Sequence, residues 1–419
     1  MTLLILSHRF RASFSFLPQL SFRRPFSYTT PALKQKKSSV KNRAQEEPVL
    51  LGRPSNNLKI GVVGMPNVGS VPAENYPFCT IDPEEARVEV PDERFDWLCE
   101  QYKPKSRIPT FLTVIDIAGL VKGAASGAGL GNAFLANIRA VDAIYHVCRG
   151  FTDTDIVHVE GNIDPIRDLE IIHEELRLKD EEFLEKKYEE LKRVASRTGA
   201  GASEKAKEEF VSMIAFYGGL GFYFILIHTI TNVYYLFQVE VINNLLLLTA
   251  KPVIYLCNLS EQEYLQPSKN KWVSEIKRWI EKNNTGDILI PFSASFEARL
   301  LDMSPSERAA ELVRLGGKSA LPDIIVAGYK ALQLIHYFTV GADEVRGWTI
   351  RKHTKAPAAA GVIHTDFQRG FICAEVMPFD ELKKHGSEAS CKAAGASALD
   401  ITMAHPNLIS HRKAAEGML

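Results

Sequence analysis

At 419 residues and 46% apolar composition, the chain is long enough for two or three domains and a substantial core. Its 50 Lys and Arg balance 50 Asp and Glu, which excludes a global basic field for nucleic acid and leaves only local patches. Six cysteines, at 79, 99, 148, 257, 373 and 391, form no CxxC or Cys/His pairing and read as reduced, mostly buried thiols of an intracellular protein.

Residues 1–45 carry nine Lys or Arg and seven Ser but no Asp or Glu, and Arg24-Pro25-Phe26-Ser27 resembles a matrix-protease cleavage site. An acid-free, Arg- and Ser-rich leader suits a mitochondrial transit peptide, because a negative-inside potential attracts positive charge. A disordered basic tail or a misplaced start codon reads the same way, so both stay open.

After this leader (1–57) strands and helices alternate. The apolar run Leu58–Val63 predicts a buried strand, and Gly64-Met-Pro-Asn-Val-Gly69 then supplies the G-x-x-x-x-G of a Walker A loop. Lys and Ser/Thr should follow, but the chain continues Ser70-Val71-Pro72. "PFCTID" offers Thr80 as a switch hydroxyl that closes over Mg²⁺. The strand "FLTVI" leads into Asp116-Ile-Ala-Gly119, a D-x-x-G loop whose Asp reaches a magnesium shell through water and whose Gly N–H senses a γ-phosphate. The glycine-rich stretch 119–134, with Leu120 after Gly119, reads as a switch that orders on nucleotide binding, or as a plain flexible loop.

Residues 162–199 predict helix, with Asp164 as cap, Pro165 at the first position, and apolar residues at 169, 172, 176, 184, 188, 191 and 195. That spacing is the seam of a helical hairpin inserted at about 160–210. Val211–Val239 then runs 29 residues without a formal charge, long enough to span a bilayer. A span there would put the two halves of one nucleotide domain on opposite sides of a membrane, so a buried or aberrant insert is the expectation. "YLCNLSE" places Asn258-Leu259-Ser260-Glu261 where a base-reading loop belongs, and "PFSAS" (291–295) suits the loop that supports the base. From 331 to 395 short β-type runs predict a small β-grasp module, and 396–419 reads as an irregular tail.

Five such loops in this order, each at a strand end, make an accidental match improbable. The segments "GMPNVG", "PAENYPFCTIDPEEARVEVPDERFDWL", "VIDIAGLVKGAASGAGLGNAFLANIRAVDAIYHV", "HVEGNIDPIRDLEIIHEEL", "YLCNLSE" and "DEVRGWTIRKHTKAPAAAGVIHTDF" resemble the Obg-like ATPases of the YchF type, a branch of the translation-factor-related P-loop GTPases. The resemblance covers residues 48–210 and 240–394. It implies an α/β fold, with a P-loop NTPase parallel sheet (a G domain, 58–330), a helical coiled-coil insertion and a C-terminal TGS domain (331–395). It implies ATP as substrate, Mg²⁺ as cofactor, and the large ribosomal subunit with its rRNA as partner. It also implies a cytoplasmic location; no stable membrane insertion is expected, and the oligomeric state stays open with a monomer favoured.

By that resemblance the ATP-binding set is Gly64, Pro66, Asn67, Val68, Gly69, Ser70, Asn258, Leu259 and Glu261. The metal set is Ser70, Thr80 and Asp116, and the switch is Gly119 with Leu120. GTPases read guanine with N-K-x-D, whose Asp accepts from N1–H and the 2-amino group. Here Leu259 replaces the stacking lysine and the Glu261 carboxylate is one methylene longer, so the reason to prefer guanine is lost. Hydrolysis should be slow, because Leu120 stands where Ras-like enzymes carry a water-orienting Gln.

Family members continue the loop as Gly-Lys-Ser-(Ser/Thr) and then a helix of about three turns. Pro72 and Pro77 leave no room for that helix before Thr80, since an interior proline costs about 3 kcal/mol. Weak ATP binding and very slow hydrolysis follow, with a nucleotide-incompetent binding module as the alternative. Misassembled exons would explain the interrupted loop, the uncharged insert and the aberrant tail together.

Overall fold

A computed structural model describes residues 50, 52–68, 84–117, 119, 131–153, 158, 160–195, 243–395, 398–399 and 408–410. Residues 1–49 of the leader, Gly69, Ser70, Thr80, Leu120 and the 211–239 insert lie outside the described residues.

The first sheet takes β1 (Lys59–Gly64), β2 (Glu84–Glu89), β4 (Phe111–Asp116), β5 (Ala143–Arg149), β6 (Val253–Asn258) and β7 (Ile288–Phe292) in the order β2-β4-β1-β5-β6-β7. Its five inner and right-hand strands run parallel, in register Val62 with Asp116, Arg149 with Asn258 and Asn258 with Phe292. Edge strand β2 is antiparallel to β4, so the sheet is mixed where a parallel one was expected. Its sequence, EEARVE, is exposed along most of its length and carries charges that discourage edge-to-edge pairing.

Helices α1 (Glu93–Tyr102), α2 (Gly131–Ala140) and α3 (Pro165–Ala195) follow in the first half of the chain. Asp164 caps α3 as the sequence suggested, accepting from the N–H groups of Ile166 and Arg167 at 3.1 Å each. Its stripe buries Leu169, Ile172 and Leu176 and continues through Leu184 and Leu191, which pack with Leu245 and Leu247. Asp180 fastens the returning chain by accepting from the Leu248 and Thr249 N–H groups at 2.9 Å. After β6 come α4 (Glu261–Tyr264), α5 (Lys271–Asn283), α6 (Ala294–Leu301), α7 (Pro305–Leu315) and α8 (Leu321–Ala331).

The second sheet has the order β11-β10-β12-β8-β9-β3, built from β8 (Leu334–Val340), β9 (Glu344–Arg351), β10 (Glu375–Pro378), β11 (Ala398–Leu399), β12 (Leu408–Ser410) and β3 (Ser106–Ile108). Helices α9 (Ala356–Ile363), α10 (Thr365–Arg369), α11 (Phe379–His385) and α12 (Glu388–Ala393) lie between its strands. Two findings correct the expectations here. Residues 398–399 and 408–410 are strands, not irregular tail, and β12 joins β10 to β8 at the middle of the sheet. The edge strand β3 comes from between two strands of the first sheet. Helix α1 goes with it: Phe95, Leu98 and Cys99 share a core with Phe338, Val345, Met377 and Leu382. Its cap residue Asp92 accepts from Arg94 at 2.6 Å and lies 2.6 Å from the His336 ring. Burial alone would raise the Asp92 carboxyl, but its hydrogen bonds with His336 and Arg94 together hold it far below the usual range.

Among the described residues no helix is long and apolar enough to cross a membrane. Cys99, Cys148, Cys257 and Cys391 are buried free thiols, whereas Cys373 is an exposed one.

One strand residue makes the fold pH-sensitive. His146 is buried in β5, its ring 5.6 Å from Tyr255 and 6.2 Å from His173. Burial, helped by His173, lowers its pKa to about 3. The unfolded imidazole titrates near 6.5, so the unfolded chain takes the proton first, and stability present above that pH is lost as pH falls toward 3. Asp287, raised by burial to about 7, tilts stability the other way between about pH 4 and 7, so the test compares two chains. On going from pH 6.5 to 5 the wild type should lose about 2 kcal/mol more than His146→Phe, or about 4–8 °C in thermal midpoint. Parallel melting curves at the two pH values check this.

Candidate functional site

Five of the first sheet's strands point their carboxyl ends the same way, and the loops there form the candidate site. The chain leaves β1 at Gly64, where a Cβ would come within 2.7 Å of Val68 and 2.9 Å of the Val147 carbonyl. Only glycine lets the loop curl this closely over β5. Asn67 takes a left-handed backbone, with φ of 65°, which Asn tolerates better than most residues. Met65, with 2% of its surface exposed, anchors the loop in the core.

Next to it, β4 ends at the exposed Asp116, and the Ile117 N–H donates to the Val62 carbonyl at 3.2 Å. A Cβ on Gly119 would stand 3.0 Å from the ring and backbone nitrogen of Pro66, so the D-x-x-G loop lies directly on the phosphate loop. Asp116 contributes a hard carboxylate oxygen where the sequence places the magnesium shell, and that donor type fits the ion.

On the other side, Asn258 at the end of β6 is 1% exposed. Its amide donates to the Val68 carbonyl at 2.8 Å and accepts from the Ala294 N–H at 3.0 Å. One side chain therefore staples the loop after β1 to the loops after β6 and β7. The Leu259 side chain is buried with Cys257, Ile276 and Ile280, and its N–H donates to the Phe292 carbonyl at 2.8 Å. The Leu259 side chain thus belongs to the core. Ser260 caps α4, accepting from the Glu263 N–H at 3.3 Å. Glu261 meets Arg299 of α6 at 2.8 Å. Fully buried Ser293 caps α6 in turn, and Asn270 joins the Gly150 carbonyl (3.3 Å) to Glu263 (2.9 Å).

Gly64, Pro66, Asn67, Val68, Asp116, Gly119, Asn258 and Leu259 are thereby brought to one end of one sheet. Sequence reasoning missed three contributors. Arg149, with 0% exposure, organises the loop after β5 by donating to the carbonyls of Phe151 (3.3 Å) and Asp153 (3.2 Å). Asn270 belongs to none of the motifs read in the sequence, yet it caps α5 and braces the loop after β5 against α4. Arg299 had no local signal, because its partner lies 38 residues away.

Two family models match the chain. The one described as a 50S ribosome-binding GTPase covers residues 59–186, and the YchF GTPase C-terminal family, described as a protein of unknown function, covers 334–401. Obg-like ATPase 1 of Schizosaccharomyces pombe is 55% identical over 361 residues, or 82% of this chain and 90% of that one. Obg-like ATPase 1 of Homo sapiens is 52% identical over 366 residues, covering 83% and 89%. The solved structure of the S. pombe YchF GTPase superposes with a TM-score of 0.75 at 52% identity, over 87% of this chain and all of that one.

Proposed function

The chain belongs to the Obg-like ATPase family of YchF-type P-loop NTPases, and from that premise we propose that it is an ATP-binding, slowly hydrolysing switch that acts on the large ribosomal subunit. The observation that carries this reading is the Asn258 staple, which joins a phosphate loop to two base loops that hold no N-K-x-D aspartate. Gly64, Pro66, Asn67, Val68, Gly69 and Ser70 cradle the phosphates in this reading, and Asn258 with the Leu259 backbone meets the adenine. Asp116, Ser70 and Thr80 hold Mg²⁺, and Gly119 with Leu120 senses the γ-phosphate. When bound, the ion supplies charge neutralisation on the phosphates. The G domain spans 58–330 and the TGS module begins at 331. The protein works as a cytoplasmic monomer, with the mitochondrial matrix as the alternative that the leader offers.

Titrating the chain with fluorescent ATP and GTP analogues and Mg²⁺ tests this directly. ATP should bind more tightly by at least about tenfold, as expected where no paired acceptor meets guanine. Equal affinities would remove the adenine reading. A second reading has its own observation: Gly69 is followed by Ser70, with no lysine. In that case the chain binds no nucleotide, and its helical and TGS parts act as a binding module alone.

A further inference from the structure

The base-reading loop contains a single carboxylate, Glu261, and the structure ties it down from outside the loop. Arg299 Nη2 donates to one Glu261 oxygen at 2.8 Å and its Nε reaches the other at 3.5 Å, a forked approach in which one guanidinium covers both acceptors. Arg299 is itself fixed. Its Nη1 donates to Glu311 at 2.8 Å, and its guanidinium lies 5.4 Å from the ring centre of the fully buried Phe296. Glu311 is held from the far side by Arg314, through two hydrogen bonds of 2.7 Å. The result is a ladder of alternating charge, Glu261–Arg299–Glu311–Arg314, running from the base loop across α6 and α7. Arg299 stands on the helix that begins at the second base loop, so the ladder ties the same two loops that Asn258 ties.

A guanine edge presents two donors, N1–H and the 2-amino group, and needs two acceptors on a carboxylate. A carboxylate whose oxygens already face a charged, planar fork must give up the stronger partner to receive the weaker one. An adenine edge makes no such demand. We propose that Arg299 is a positioning residue for base choice: by forking onto Glu261 it takes the one carboxylate of the base-reading loop out of reach of guanine. This rests on the nucleotide-binding reading above and adds to it the residue that enforces the preference. The longer side chain at 261 alone leaves a flexible acceptor that can still swing toward a base, and Arg299 removes that freedom. Because both side chains are 36% exposed, the lock is open to salt, and the preference weakens as ionic strength rises.

The test uses the full chain and two probes, mant-ATP and mant-GTP with Mg²⁺, titrated to millimolar concentration. Arg299→Ala should raise GTP affinity relative to ATP by about tenfold or more, the scale of one new charge-assisted hydrogen bond to the base. Arg299→Lys, which keeps one charged donor but loses the fork, should fall between the wild-type ratio and that of Arg299→Ala, and adding Glu261→Gln to Arg299→Ala should return the ratio to that of the wild type. A ratio unmoved in Arg299→Ala overturns the proposal, as does an equal loss of both nucleotides, which marks Arg299 as merely structural. Failure of the unaltered chain to bind either probe overturns the underlying nucleotide-binding reading as well, so the two failures are told apart.

Discussion

Restoring Lys-Ser and a helix of about three turns after Gly69 is expected to tighten Mg-ATP binding by about 10- to 150-fold and to raise the hydrolysis rate by about 10²–10³. The first figure is one charge-assisted contact to phosphate, about 1.5–3 kcal/mol, and the second is one transition-state donor restored. A helix after the loop would add its own N–H groups and dipole where the anion sits. The rest of the cradle is already built. Gly64 lets the loop curl over β5, Gly119 rests on Pro66, and the Asn258 amide holds the Val68 carbonyl at 2.8 Å. A scaffold fixed up to Val68 can receive a lysine without being reshaped. Calorimetry of the two chains side by side, with single-turnover hydrolysis, measures both gains. Micromolar Mg-ATP affinity in the unaltered chain would refute the reasoning, because it would show that the ammonium is dispensable.

The second large effect lies where α8 crosses the first sheet. Gly328→Ala should lower the thermal midpoint by about 5–10 °C, equivalent to about 2–3 kcal/mol at this domain size. A Cβ at this position would fall inside the Tyr145 hydroxyl, 2.7 Å from Cζ and 3.2 Å from Leu112. That hydroxyl donates to the Ile324 carbonyl at 2.8 Å within a buried site, so pushing the ring aside also breaks a buried hydrogen bond. Helix propensity alone favours alanine by about 1 kcal/mol, so the sign of the result decides between local preference and packing. In a Tyr145→Phe background the worst overlap is gone, and Gly328→Ala should cost at least about 1 kcal/mol less there. A full additive cost in the double variant would place the strain elsewhere.

Much of the site could be read because its signals are local. A buried apolar run followed by glycine marks β1 and its loop, and Asp116 and Asn258 likewise stand at the ends of apolar strands. Asp164 followed by Pro165 marks the start of α3 for the same reason, since capping needs only neighbours. The features that escaped depend on partners distant in sequence. Nothing in Glu84–Glu89 says that it runs against β4, because exposed alternation looks alike in either direction. The strands at 398–399 and 408–410 are too short to carry a period and are defined by what they pair with. Motif position suggests a backbone role for Leu259, but the burial of its side chain against Ile276 and Ile280 is not visible in the sequence. Arg299 looked like any surface arginine until the fold set it beside Glu261.

The helix that carries Phe95, with the strand after it, has a consequence for how the protein is made. Asp92 and His336 are 244 residues apart, yet they meet in one core. At a synthesis rate of about 5–20 residues per second, the apolar face of Phe95, Leu98 and Cys99 waits roughly 12–50 s for its covering strands to be translated. A polypeptide stopped near residue 330 leaves that face open for good, with β3 unpaired at its side. The nascent chain therefore carries a sticky patch through most of its own elongation, and its yield depends on how well the cell shields that patch until the last strands arrive.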